Sequence, residues 1–431
     1  MDRLLRHGLL ALSLLGLGCA GRNARPSYKS LAELSHCKPD ECVDTSLEFI
    51  RWADAAYFRG RMPYYCDPGS ELDGPPDHEV KRMILVLHGV VGVSEAELAK
   101  MNLAPGLNQF RNVMTALDKA ERLDPELDRE SIAVISPNVQ RTDQWQPWTD
   151  EDKRAWTWTR STWNQGTRSM LRETKSGAIK ADSVSSFDVL DEFLRAALIK
   201  FPELEQIVVT GHSTGGQAVH RYALLGVGVH ERIEAAGVSI RYVSANPGAY
   251  AFPLIRRKLP PGQSTVRAGI GAGDTLDWKW GVPKGCANWD RWGYGLEGLQ
   301  DNERAVRAAD YAIDTYLRPV DRKLARQGSR EVGSHEWAKA ARKALVLQYA
   351  AREIWHVQAS GDHANTFEGD CAATLQGRSR FERFSNFQEA WERLLGVPAP
   401  ELHFVAIDGL ADQHSSRAVY SSEAGIYVLF H

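Results

Sequence analysis

The sequence predicts an α/β fold: a mostly parallel central sheet flanked by helices, with helical and Trp-rich cap insertions. Three observations carry this. Short apolar runs rich in β-branched residues recur along the chain, among them MILVLHG, IAVISPNV, QIVVTG and IRYVSANP. Continuous runs of this kind suit strands buried on both faces, the situation of a parallel sheet. Segments with helical spacing of apolar residues, such as SFDVLDEFLRAALIKF, separate many of them, and that alternation is the pattern of crossover-linked strands. With 431 residues, 43% of them hydrophobic, the chain is long enough to cover such a sheet on both sides.

From the N-terminus, residues 1–19 stand apart. MDRLLRH carries two arginines, and the apolar run GLLALSLLGLG is too short to span a bilayer as a permanent helix, which reads as an export signal. Its end, Gly18-Cys19-Ala20, resembles the lipobox of bacterial lipoproteins, although Gly16 stands where that motif prefers a branched apolar residue. The resemblance implies an acylated Cys19 and membrane attachment through it; an ordinary signal peptide is the alternative reading. Both place the protein outside the cytoplasm, as an envelope lipoprotein or a periplasmic or secreted protein.

Residues 20–80 read as an N-terminal extension, with a helix expected over TSLEFIRWADAAYFRG (Thr45–Gly60) and a turn-rich loop over PGSELDGPPDHEV. The main domain is placed at 81–431. Its expected order is strand MILVLHG, a helix around Glu95 to Leu117, strand IAVISPNV, helix SFDVLDEFLRAALIKF, strand QIVVTG, helix QAVHRYALLG and strand IRYVSANP. The strands EIWHVQA and ELHFVAIDG then resume the rhythm. Two insertions interrupt it, at about 142–164 and 247–352. The first holds Trp145, Trp148, Trp156, Trp158 and Trp163, which serve either as the lining of an apolar or sugar-stacking pocket or as core material.

Charge and cysteine usage narrow the function classes. Lys and Arg (52) nearly balance Asp and Glu (55), and no basic stripe interleaved with aromatics appears, which argues against a nucleic-acid partner. Beyond Cys19 remain Cys37, Cys42, Cys66, Cys286 and Cys371, an odd set suited to an oxidising compartment. Cys37 and Cys42 suit a small loop disulfide. Export suggests that Cys286 and Cys371 join two distant loops; two buried free thiols, or a pair involving Cys66, are the alternatives. No C-x-x-C pair supports a zinc or redox site, and no metal or cofactor is implied.

The segment IVVTGHSTGGQAVH, Ile207 to His220, carries the chemistry. A serine on a sharp turn from strand to helix is forced into a strained backbone conformation, and its neighbours two positions away must be small. Gly211 and Gly215 hold those positions around Ser213, and Gly216 lets the helix pack close to the strand. The stretch resembles the G-x-S-x-G signature of the α/β-hydrolase superfamily, in the strand and helix context that signature requires, and the resemblance extends from about Met83 to Phe430. A phosphate-binding glycine turn is the competing reading, but it lacks the Lys-Ser/Thr ending of a P-loop.

The resemblance implies a nucleophile, then an acid, then a histidine along the chain. Ser213 takes the first role. Of the thirteen histidines, His414 in GLADQHSSRAVY follows the last strand and precedes a helix-like segment, the place of the base. The acid is expected after EIWHVQA, and Asp362 is chosen over Glu368 and Asp370 on the same loop. An oxyanion hole is expected from the backbone N–H groups of Thr214 and Val90, with Gly89 turning the chain and His88 in a structural role. Three stretches, SANPGAYAF, RWGYGLEGL and CAATLQGRSRF, further resemble a branch of secreted bacterial and fungal hydrolases, which would set Asn246, Pro247 and Tyr250 above the sheet near the turn. The expected activity is that of an exported serine hydrolase acting on a small-molecule or lipid-like ester. Amide hydrolysis or acyl transfer uses the same residues, and a non-catalytic envelope binding protein on this fold predicts the loss of one of the three.

Overall fold

The computed structural model describes residues 50–54, 61–89, 105–141, 155–159, 162–170, 184–226, 228–259, 279–287, 289–296, 335–364, 370–395 and 401–431. The signal segment with Cys19, the pair Cys37 and Cys42, Trp145, Trp148, Val90 and Glu368 lie outside them. The strands are β1 (Ile50–Asp54), β2 (Arg61–Cys66), β3 (Arg82–Leu87), β4 (Ile132–Pro137), β5 (Gln140–Arg141) and β6 (Thr157–Trp158). They continue with β7 (Gln206–His212), β8 (Ser239–Ala245), β9 (Arg257–Leu259), β10 (Lys279–Gly281), β11 (Glu353–Ala359) and β12 (Leu402–Ile407). The helices are α1 (Pro105–Leu123), α2 (Ser186–Lys200), α3 (Thr214–Leu225), α4 (Gly228–Ala235) and α5 (His335–Ala350). After them come α6 (Cys371–Thr374), α7 (Arg380–Leu395), α8 (Ser416–Tyr420) and α9 (Glu423–Phe430).

Eight strands form one sheet in the order β1-β2-β4-β3-β7-β8-β11-β12. The strands from β4 to β12 pair in parallel, whereas β2 is antiparallel to both β1 and β4. The predicted mostly parallel sheet with helices on both faces is therefore present. Its central strands are β3 and β7, paired from Arg82 and Gln206 to Leu87 and Gly211, and both are buried along nearly their whole length. One face packs Val209 and Tyr242 against α2, α3, α4, α5 and α7. The other packs Val86, Val208 and Val243 against α1, α8 and α9. Residues alternate between these two cores because side chains of a strand alternate between its faces.

The start of the sheet differs from the sequence-based expectation. The segment expected as a helix over Thr45–Gly60 contains β1, which pairs antiparallel with β2 from Ile50↔Tyr65 to Asp54↔Arg61. Its apolar residues fit helical spacing, but Ile and Trp also suit a strand, and pairing with β2 decides the outcome. With β1 and β2 hydrogen-bonded into the main sheet, the sheet begins inside the segment read as an extension and not at residue 81. Of the helix expected around Glu95 to Leu117, residues 95–104 lie outside those described, and the described part, α1, is helical from Pro105 and continues to Leu123.

Within the first insertion, Trp156, Trp158 and Trp163 are buried in the core beneath α2 and α3, so for these three the core reading holds. The second insertion contributes the antiparallel pair β9 and β10, and α5. Arg257 binds it together, donating to Asp290, to Trp289 O and to Tyr294 O. Cys286 and Cys371 form a disulfide with Cα atoms 6.0 Å apart, which excludes free thiols at these two positions and a pairing of either with Cys66, itself buried in the core. Among the described residues no helix is long and apolar enough to cross a membrane.

Candidate active site

Strand β7 passes into α3 through a single residue. Ser213 occupies that turn with φ 57° and ψ −116°, a combination that a side chain rarely adopts. Glycine makes the turn sterically feasible. A Cβ on Gly211 would stand 2.5 Å from the backbone of Gly215, and one on Gly215 would stand 2.2 Å from Leu87 O of the neighbouring strand. The turn is pinned by Ser213 N–H donating to Ala245 O (2.9 Å) and by Ser213 O accepting from Gln217 N (3.0 Å). The Ser213 side chain forms no bond to the helix it precedes and is only half-buried.

It points instead at a second loop. Ser213 Oγ lies 3.1 Å from His414 Nε2, and His414 Nδ1 lies 2.8 Å from Asp362 Oδ2. Ser213 follows β7, Asp362 follows β11 and His414 follows β12, so one end of the sheet supplies all three. The strand order, the one antiparallel strand near the edge and the strained serine between β7 and α3 together identify the architecture. The chain has the α/β-hydrolase fold.

No family model matches the chain, and no curated protein does so significantly. Among solved structures it is similar to LpqC, a poly(3-hydroxybutyrate) depolymerase from Bordetella parapertussis, at 15% identity over 91% of this chain and 94% of that one, with a TM-score of 0.42. Poly(aspartic acid) hydrolase-1 from Sphingomonas sp. KT-1 is similar at 14% identity over 89% and 99%, with a TM-score of 0.43. The siderophore hydrolase EstA from Aspergillus nidulans is similar at 12% identity over 88% and 93%, with a TM-score of 0.35. The fold assignment rests on this chain's own strand order and elbow.

The carboxylate is buried and charged. Asp362 loses solvation on burial, yet the hydrogen bond from His414 and the charge of Arg380 outweigh that cost and hold it below the usual carboxylate range. Arg380 Nη1 donates to Asp362 Oδ1 at 2.9 Å, so each carboxylate oxygen has one cationic or potentially cationic neighbour. With the imidazole proton on Nδ1 facing Asp362, Nε2 is free to accept the hydroxyl proton of Ser213. The arrangement can therefore deprotonate the serine and stabilise the imidazolium that results.

Of the alternative acids, Asp370 is committed elsewhere. Its Oδ1 caps α6 by accepting from Ala372 N and Ala373 N, and its Oδ2 accepts from the Tyr294 hydroxyl. His88 lies within hydrogen-bond reach of two carbonyls, Gly89 O from Nδ1 and Val139 O from Nε2, and burial lowers its pKa, in keeping with a structural role. Thr214 opens α3, where backbone N–H groups have no intrahelical partner. Gly89 lies against the elbow, where an added Cβ would be 3.1 Å from Ser213 Cβ; Val90, the other expected donor, is not among the described residues.

Three participants were not singled out in the sequence. His212 packs against His414 with ring centroids 4.8 Å apart and the planes tilted by 49°, and burial, then the neighbouring His414 and Arg380, push its pKa well below the usual imidazole value. Arg380, in CAATLQGRSRF, has no local pattern that would mark it as a partner of Asp362. Gln413, beside His414, is the third. Tyr250, expected above the sheet, is buried in the core and stacks on Phe387 at 4.4 Å.

Proposed function

We propose that the protein is an exported serine hydrolase that cleaves a carboxylic ester through an acyl-enzyme intermediate. The observation that carries this reading is the unbroken hydrogen-bonded series from Ser213 Oγ through His414 to Asp362, with the serine held in a strained elbow. Ser213 attacks the ester carbonyl while His414 Nε2 takes its proton. The oxyanion lies against the N–H of Thr214, at the positive end of α3, with Val90 N–H as the second donor. Collapse breaks the ester C–O bond, and the leaving alkoxide receives the proton from His414. Water, deprotonated by the same imidazole, then releases the acid and restores Ser213. Asp362 holds the imidazole tautomer and balances its charge. The basic and apolar N-terminal segment supports export, as does the disulfide between Cys286 and Cys371, a bond that persists in oxidising compartments.

The test is labelling of the purified chain with a fluorophosphonate probe, together with turnover of a p-nitrophenyl ester. Label should map to Ser213, and Ser213→Ala should lose both label and at least about 10³-fold of turnover. A Ser213→Ala protein that keeps its turnover overturns the proposal.

A further inference from the structure

The three proposed catalytic side chains come from loops after different strands, and something must set those loops at hydrogen-bond distance from one another. Asn246, the first residue after β8, lies at the point where they meet. It is fully buried and is one of two residues other than glycine with positive φ among the described residues, at 43°. The other is Ser213. A buried, left-handed asparagine is costly unless its side chain is bonded in that conformation.

Asn246 is bonded on every side. Its backbone N–H donates to Val357 O (2.8 Å), and its side-chain Oδ1 accepts from Ala359 N (2.9 Å), both on β11, the strand that leads to Asp362. Its Nδ2 donates to Gln413 O at 2.7 Å, the carbonyl immediately before His414. The residue before it, Ala245, supplies the carbonyl that receives Ser213 N–H. Gln413 closes the figure: its Oε1 accepts from Gly361 N at 3.1 Å, next to Asp362, and its Nε2 donates to Leu410 O. Gln413 packs so closely on that backbone that a Cβ on Gly361 would fall 2.6 Å from its Cδ.

We propose that Asn246, together with Gln413, is a positioning residue that locks the serine, acid and histidine loops into reactive register. The inference rests on the hydrolase reading above. Neither side chain bonds to Ser213, His414 or Asp362, so the effect is transmitted through backbone groups. A purely structural asparagine would support stability alone; a positioning one sets the distance from Ser213 Oγ to His414 Nε2, and a shift of about 1 Å in such a contact can cost about 10²-fold in rate.

Asn246→Gly provides a clean test, because glycine accepts the left-handed backbone without strain and removes only the side-chain bonds. In the full chain at 25 °C, kcat for a p-nitrophenyl ester should fall about 10- to 100-fold with KM little changed, and the fluorophosphonate labelling rate should fall in parallel. Asn246→Asp keeps an acceptor for Ala359 N but cannot donate to Gln413 O while ionised, so its kcat should fall as well. Gln413→Ala should lower kcat by itself and add less than its full effect in the Asn246→Gly background. Should Asn246→Gly not fold, the Asp and Gln413 variants carry the same comparison. Folded variants with wild-type kcat and labelling rate, differing only in melting temperature, overturn the inference while leaving the hydrolase reading intact. A wild type without Ser213-dependent turnover overturns that reading and the inference with it.

Discussion

Removing the Cys286–Cys371 disulfide should weaken the fold without disabling the site. The two cysteines are separated by 85 positions, and they tie the second insertion to the start of α6. Closing a loop of that length in the unfolded chain removes about 15 cal/mol/K of entropy, or about 4.6 kcal/mol at 25 °C. The native side should change little, because Tyr294 still donates to Asp370 and Leu259 still packs on Ala372 and Leu375 in the same small cluster. The site should be spared, since the carboxylate of Asp362 is held by Arg380 and His414, and the loop around it by Asn246 and Gln413. The assay is urea unfolding of the oxidised chain against Cys286→Ser/Cys371→Ser, with ester turnover of both at 25 °C. A loss of about 4–5 kcal/mol in extrapolated stability with similar kcat is expected. A loss below about 1 kcal/mol would refute the loop-entropy argument, and a large fall in kcat of the folded variant would show that the disulfide reaches the catalytic geometry.

Asp362→Asn should leave the fold in place and remove most turnover, because an amide no longer favours the Nδ1–H tautomer of His414; Asp370→Asn should mainly lower stability through its lost cap and Tyr294 bond, and kinetics with thermal melts of the two variants decide between them. Because the Asp362 carboxyl is held below its unfolded value of about 3.9, its stabilisation is complete above that pH and disappears as pH falls through the lower folded value. Acid unfolding of Asp362→Asn should therefore depend less steeply on pH below about 4 than that of the wild type, as read by circular dichroism. Gly215→Ala sets a Cβ 2.2 Å from Leu87 O, so α3 must lift from the sheet; fluorophosphonate labelling of Ser213 should drop sharply and stability should fall by about 1–3 kcal/mol or more.

Much of the site was legible because its constraints are local. The run from Ile207 to His220 places a strand, a turn that tolerates only small neighbours, and a helix within fourteen residues, and each requirement leaves a mark in residue type. The parallel sheet was legible for the same reason, since a strand buried on both faces must be apolar along its length, as β3 and β7 are. Position after the last two strands, read with the order that the resemblance implies, pointed to Asp362 and His414, and the fold brings both into one hydrogen-bonded series with Ser213. The pairing of Arg380 with Asp362, the tilted ring contact of His212 with His414 and the bonds of Asn246 to Ala359 and Gln413 leave no such mark. They join residues up to 202 positions apart, through a buried ion pair, a ring contact and backbone groups, whose partners any sequence conceals. The same holds for β1: local spacing favoured a helix, and only the neighbouring strand β2, offering its hydrogen-bonding edge, made the segment a strand. Sequence by itself determined the kind of sheet and the local turn that carries Ser213, and offered candidates for its partners; tertiary structure decided their mutual distances, because those depend on hydrogen bonds between loops that meet only after the sheet has formed.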